Sequence, residues 1–398
     1  MSGEAPSHER GNVARLAIAQ ALAGANTTVV FATGGIVGNT IAPDKALATL
    51  PVTIFVIGIA AATLPIGRIA GRYGRRAVFM LGTASGVVTG LLAALAVVLG
   101  SFWMFCLATF FGGTYMAVTA TFRFAAADAA PVERRPRALS LVMAGGLFAG
   151  IIGPQLVTHT MYISPVMFAV TYLAQAAVAV LAGIILAGVR LPVPKRGESR
   201  GGRSLLEVSR QPRFIAAVMA GAVSYLIMNL LMTSAPLAMR LCGLSQEDAN
   251  LGIQWHVVAM YAPSFFTGRL IARFSAPTVV GCGLVLLAVS ALVGLSGITV
   301  AHFWVSLVLL GIGWNFGFVG ASALVLESHR PEERTRVQSF NDFLIFGLMV
   351  VGSFASGGLL NSYGWEIVCL VSIPPLAIAA VTLWATSERR RPAFPPAR

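Results

Sequence analysis

Gly67-Arg68-Ile69-Ala70-Gly71-Arg72-Tyr73-Gly74 closes one apolar stretch of this chain, and Gly268-Arg269-Leu270-Ile271-Ala272-Arg273-Phe274-Ser275 closes another, 201 residues later. A second pair, Pro131-Val132-Glu133-Arg134 and Pro331-Glu332-Glu333-Arg334, repeats at an offset of 200. Two matches at nearly one offset imply two copies of a single unit. Because a basic segment follows the apolar stretch in both copies, the copies share one orientation.

The 398 residues are 57% hydrophobic and only 11% charged. A soluble domain carries about 25% charged residues, so lipid must be the solvent for much of this chain. Apolar segments near the roughly 20 residues needed to span a bilayer fall at 14–38, 46–66, 77–99, 102–127, 138–160 and 163–189, then at 213–239, 248–268, 277–299, 303–326, 337–361 and 364–386. The expected fold is an all-α membrane protein of twelve transmembrane helices in two parallel six-helix repeats. Residues 1–189 form the first bundle, 190–211 a basic cytoplasmic linker, and 212–398 the second bundle and tail. The stretch from Leu16 to Val37 reads as a retained span rather than a signal peptide. The four cysteines, Cys106, Cys242, Cys282 and Cys369, form neither a CxxC nor a disulfide framework.

A formal charge of +13 in a soluble protein would point to nucleic acid; here its distribution points to topology. With both termini inside, every one of the 28 Lys and Arg except Lys45 and Arg240 falls on the inner side, as the positive-inside rule requires. The expected arrangement is therefore a multi-pass membrane protein with both termini cytoplasmic and the lipid bilayer as a partner.

Parallel six-span repeats are the plan of major facilitator transporters, whose substrate site lies near the midplane between the halves. Gly67-x-x-x-Gly71-Arg72-x-Gly74-Arg75-Arg76 resembles that family's G-x-x-x-D-R-x-G-R-R loop motif, with Gly71 in place of the usual Asp. In that family the Asp helps close the cytoplasmic gate through charge contacts, so the resemblance does not carry gating by that ion pair over to this chain. Gly153-Pro154 resembles the core of the family's antiporter motif, but Val157 and Thr158 stand where paired glycines are expected. Neither a nucleotide loop nor a soluble catalytic domain is present, so the chain reads as a transporter and not an enzyme.

Met228-x-x-x-Met232 and His256-x-x-x-Met260 lie in neighbouring spans. Residues four apart share a helix face. Met232 and His256 each lie 12 residues from Leu244, roughly 18 Å of rise, and Met228 and Met260 each lie 16 residues away, roughly 24 Å. Two rungs of soft ligands therefore stack near the midplane, as Cu(I) would require. Methionine as core filler and His256 as a proton carrier or hydrogen-bonding group are the other readings of the same residues. An offset of 201 carries the four to Thr27, Phe31, Phe55 and Ile59, none a soft-metal ligand.

With Leu230-Leu231-Met232-Thr233-Ser234-Ala235-Pro236 and Ile253-Gln254-Trp255-His256, these motifs resemble the CcoA-type copper importers of bacterial inner membranes. That resemblance implies import of copper as the transported substrate, with no resident cofactor, toward cbb3-type oxidase assembly. A cytoplasmic copper chaperone or copper ATPase would receive the ion, and no nucleic acid is involved. A riboflavin-transporting subgroup shares much of this text. The alternatives are thus import of riboflavin or another small organic molecule, with Trp255 and Trp314 stacking on a ring, a small-molecule exporter, or a metal-binding sensor or assembly factor. Arg123, Asp128 and Asp342 sit near span ends as gate or loop contacts. Asn26, Thr27, Thr28, Gln175 and Asn315 either line a cavity or bridge helices.

Overall fold

The computed structural model describes residues 4–44, 47, 50–191 and 202–388. It is helical throughout: α1 Glu4–Ile41, α2 Leu50–Tyr73, α3 Arg75–Leu99, α4 Phe102–Ala120, α5 Phe122–Asp128, α6 Arg135–Thr160, α7 Ala169–Ala187, α8 Leu205–Ser209, α9 Pro212–Leu241, α10 Gln246–Tyr261, α11 Ser264–Phe274, α12 Ala276–Ser296, α13 Val300–Leu326 and α14 Arg334–Glu388. Apolar backbone in lipid must satisfy its own hydrogen bonds, and helices do this within one segment. Ten helices or helix pairs among the described residues are long and apolar enough to cross a membrane. The other two of the twelve spans are α10 with α11, broken at Pro263, and the part of α14 before its kink at Gly364. The sixth span starts at Ala169 rather than 163, because residues 161–168 form turns that end with Phe168 at positive φ. The predicted linker lies partly outside the described residues, as do Arg389, Arg390, Arg391 and Arg398.

Close packing within the halves rests on small residues, as expected where lipid supplies no hydrophobic drive. Gly283 of α12 meets the backbone of Gly313 and Gly317 in α13, where a side chain would collide. The halves meet along two seams, α2 against α14 and α6 against α10 and α11. The seams are built alike. Gly67 in α2 admits Ser339 of α14, and Gly268 in α11 admits Ser140 of α6. The loops after these glycines also match: Gly74 has φ 84°, ψ 167°, and Ser275, 201 residues on, has φ 77°, ψ 154°. The sequence repeat is therefore a repeat of backbone conformation, kept at Ser275 despite a side chain that disfavours it.

The linker is fastened to the second half. The Arg203 backbone N–H and Nε both donate to Glu333 Oε1, at 2.7 and 2.9 Å, while Nη2 donates to Oε2 at 2.7 Å. With Arg330 N–H also donating to it, Glu333 is held down to about 2, chiefly by the Arg203 hydrogen bonds and against the effect of its burial.

Candidate functional site

The two halves are locked at the arginine-rich end of the spans. Arg123 of α5 reaches 219 residues along the chain to Asp342 of α14, with Nη2 at 2.5 Å from Oδ1, and both groups are buried. Its Nε donates to Ser322 of α13 at 3.2 Å, and its guanidinium lies 4.4 Å from the Phe124 ring centroid and 4.7 Å from that of Phe318. Asp342 also accepts from Asn341 Nδ2 at 3.0 Å. Nearby, Arg75 pairs with Asp128 and donates to Gln338 Oε1 at 2.7 Å. Where the loop motif lacks its Asp at Gly71, charge contacts across the halves are thus supplied by Arg75, Arg123 and Asp342. Arg123 and Asp342, flagged singly in the sequence, form one ion pair between halves.

Next to this lock, reached through the Phe318 ring, lies a buried cluster of aromatic rings from four spans. Trp314 and Phe318, one turn apart on α13, stack at 5.1 Å with an interplanar angle of 15°. Tyr225 of α9 contacts Trp314, Phe318 and Phe346 edge to face at 5.3–5.7 Å. Tyr261, at the end of α10, contacts Trp314 in the same way at 5.7 Å. Its ring also presses on Gly146 of α6, where no side chain would fit. Of the two tryptophans expected to stack, Trp314 is in this cluster. Trp255 is half exposed and belongs to no aromatic pair among the described residues.

Among the buried polar atoms of the spans without a partner are both amide atoms of Asn26, Asn229 Nδ2, Ser234 Oγ, Trp314 Nε1 and His256 Nε2. Each such atom costs about 1–3 kcal/mol when left dry, and Asn26, Asn229 and Trp314 stand near the middles of α1, α9 and α13. Asn229 is the residue the sequence reading missed. An amide in the middle of an apolar span is itself a signal, one masked by the methionines beside it. Asn315, by contrast, is a bridge. Its Nδ2 donates to Met260 O and Ser264 Oγ, both at 2.6 Å, and its Oδ1 accepts from Thr267 at 2.7 Å. It thereby satisfies backbone freed where α10 breaks at Pro263.

The four predicted ligands are placed as follows. Met228 and Met260 are buried and Met232 is partly so. His256 is fully buried, with Nδ1 donating to Leu307 O at 2.8 Å. Gly311 lets α13 approach the backbone of His256 and Met260, so this face of α10 backs onto α13. Among the described residues, no group of three or more His, Cys, Asp or Glu could hold a metal.

The sequence matches the Major Facilitator Superfamily over residues 16–262 and 217–398. It is 46% identical over 378 residues to a protein of Brucella anthropi named "Riboflavin transporter RfnT", covering 94% of this chain and 95% of that one. In structure it is similar to the proton:xylose symporter XylE (TM-score 0.82, 13% identity, 96% of each chain). It is also similar to the transporter FucP in its outward conformation (TM-score 0.76, 14% identity, 96% of this chain and 99% of that one). The first likeness corrects the expectation of copper import, and with it the link to oxidase assembly. An i, i+4 spacing reports a shared helix face and not what that face meets, and the chain is similar over nearly its full length to a protein named for another substrate.

Proposed function

The chain belongs to the major facilitator superfamily, and from that premise we propose that it imports riboflavin, or a closely similar flat heteroaromatic, across a bacterial inner membrane by alternating access. The observation that carries the reading is the 46% identity, over nearly the full length of both chains, to a protein named as a riboflavin transporter. The site's chemistry agrees with it. A fused ring system needs an apolar bed and hydrogen-bonding groups at its edge. The Tyr225, Tyr261, Trp314, Phe318 and Phe346 rings offer the bed. Trp314 Nε1 and Asn229 Nδ2 offer donors without partners, as does the Asn26 amide from the first half. In this reading the arginine-rich end faces the cytoplasm, and the Arg123–Asp342 lock is the closed inner gate.

The test is uptake of labelled riboflavin by a riboflavin auxotroph expressing the protein. Wild type should restore growth and uptake. Trp314→Ala should lower uptake about tenfold or more, since one ring stack is worth on the order of 1 kcal/mol beyond its buried area. Failure of the wild type to rescue, with the protein present in the membrane, would sink the proposal.

A further inference from the structure

A groove of about 720 Å³ runs along the outside of the bundle between α1 and α6 and is closed on one side by Phe265 of α11. Arg10, Arg134 and Arg137 line one end of it, and the rest of its wall is apolar as far as Leu22 and Ile152. Ile18, Phe148 and Phe265, which line it, are each about half exposed, as side chains facing acyl chains would be. From Arg10 to Leu22 is twelve helical steps, roughly 18 Å, close to the about 15 Å depth of one leaflet in a 30 Å hydrocarbon core. The arginines therefore stand at headgroup level and the apolar channel at acyl-chain level. No Asp or Glu is among the residues that line it.

We propose that this groove is a binding site for one anionic phospholipid of the leaflet at the arginine-rich end. The phosphate would be held by Arg10 and Arg137 and an acyl chain laid between α1 and α6. Charge chooses the class of lipid: the Arg10 and Arg137 guanidiniums, with no carboxylate among the lining residues, favour a headgroup of net negative charge over a zwitterion. The depth of the channel favours a lipid over a soluble anion, which would leave the apolar wall unused. None of the clustered aromatic residues lines this groove, and the inference does not depend on the substrate.

The experiment is native mass spectrometry of the full chain, titrated with phosphatidylglycerol and with phosphatidylcholine of the same acyl chains. Wild type should retain phosphatidylglycerol about tenfold better, near what two membrane-surface arginines supply. Arg10→Gln with Arg137→Gln should reduce retention to that of phosphatidylcholine, while the corresponding Lys pair keeps most of the preference. Leu141→Trp, which fills the channel and leaves the arginines, should lower retention of both lipids. Melting temperatures and elution profiles of all variants identify any that fail to fold. Equal retention of the two lipids by wild type would overturn the proposal. So would an undiminished preference in the Gln pair, or full displacement by excess soluble glycerol phosphate.

Discussion

The two seams between the halves start from one design and end differently. Each has a glycine that admits a serine of the other half: Gly67 with Ser339, and Gly268 with Ser140. Along α2–α14 the design is overlaid with charge, in Arg75, Asp128, Gln338 and the buried Arg123–Asp342 pair. Along α6–α11 the seam is held by neutral hydrogen bonds. Ser140 Oγ donates to Ser264 O and accepts from Gly268 N at 3.0 Å. Position 276, equivalent to Arg75 by the 201-residue offset, is Ala. Duplication therefore supplied close approach on both sides, and the lock was added to one. A buried ion pair contributes little net stability but forbids arrangements in which it is separated. The charged seam thus carries a buried ion pair that any separation there would break, while the neutral one carries hydrogen bonds alone.

The largest effect should come from breaking the lock on one side only. Arg123→Leu strands Asp342 and should cost about 3–5 kcal/mol, read as a fall in melting temperature. Arg123→Leu with Asp342→Leu should recover most of this, yet leave a cysteine introduced beside the lock at the arginine-rich end open to labelling by thiol probes. If the double variant is as unstable as the single, the pair is not acting as a unit.

A smaller effect separates the glycines. A methyl at either should cost about 1–3 kcal/mol through overpacking. Gly268→Ala should be the worse, because its Cβ would meet the Arg137 Cα and Pro136 carbonyl, whereas at Gly67 the nearest atoms belong to the Ser339 side chain. Equal losses in thermal melts would show that the seams yield equally.

The smallest effect lies in the matching loops. Ser275→Gly should gain about 1 kcal/mol by releasing a backbone conformation that only glycine adopts freely, and Gly74→Ser should lose a similar amount. A neutral result at Ser275 would mean that its hydroxyl contact with Thr278, at 3.1 Å, offsets the strain.

The architecture was legible because hydropathy and arginine placement report which segments lie in lipid, and because Gly67 and Gly268 head matching loops. The break at Pro263 was not read, since α10 and α11 together keep an unbroken apolar pattern. Nor was the pairing of Arg123 with Asp342, because each residue alone resembles any charge near a span end. The aromatic cluster was half legible. Trp314 and Trp255 look alike in an apolar sequence, and where the solvent is itself apolar, hydropathy cannot separate a ring facing lipid from one facing the core. Asn26 was noted as cavity-lining or bridging, and the structure leaves its amide buried without a partner. The substrate was the least legible, because methionine serves equally as metal ligand and as filler.

The clasp of Arg203 on Glu333 changes what counts as the tether between the halves. From Gly202 onward the linker moves with the second half, so the connecting chain is only the stretch between Leu191 and Gly202. A shorter tether raises the effective concentration of one half at the other. Because Glu333 is held down to about 2, it stays ionised at any pH a cell meets. The clasp therefore holds throughout that range, and the tether between the fastened points does not lengthen with acidity.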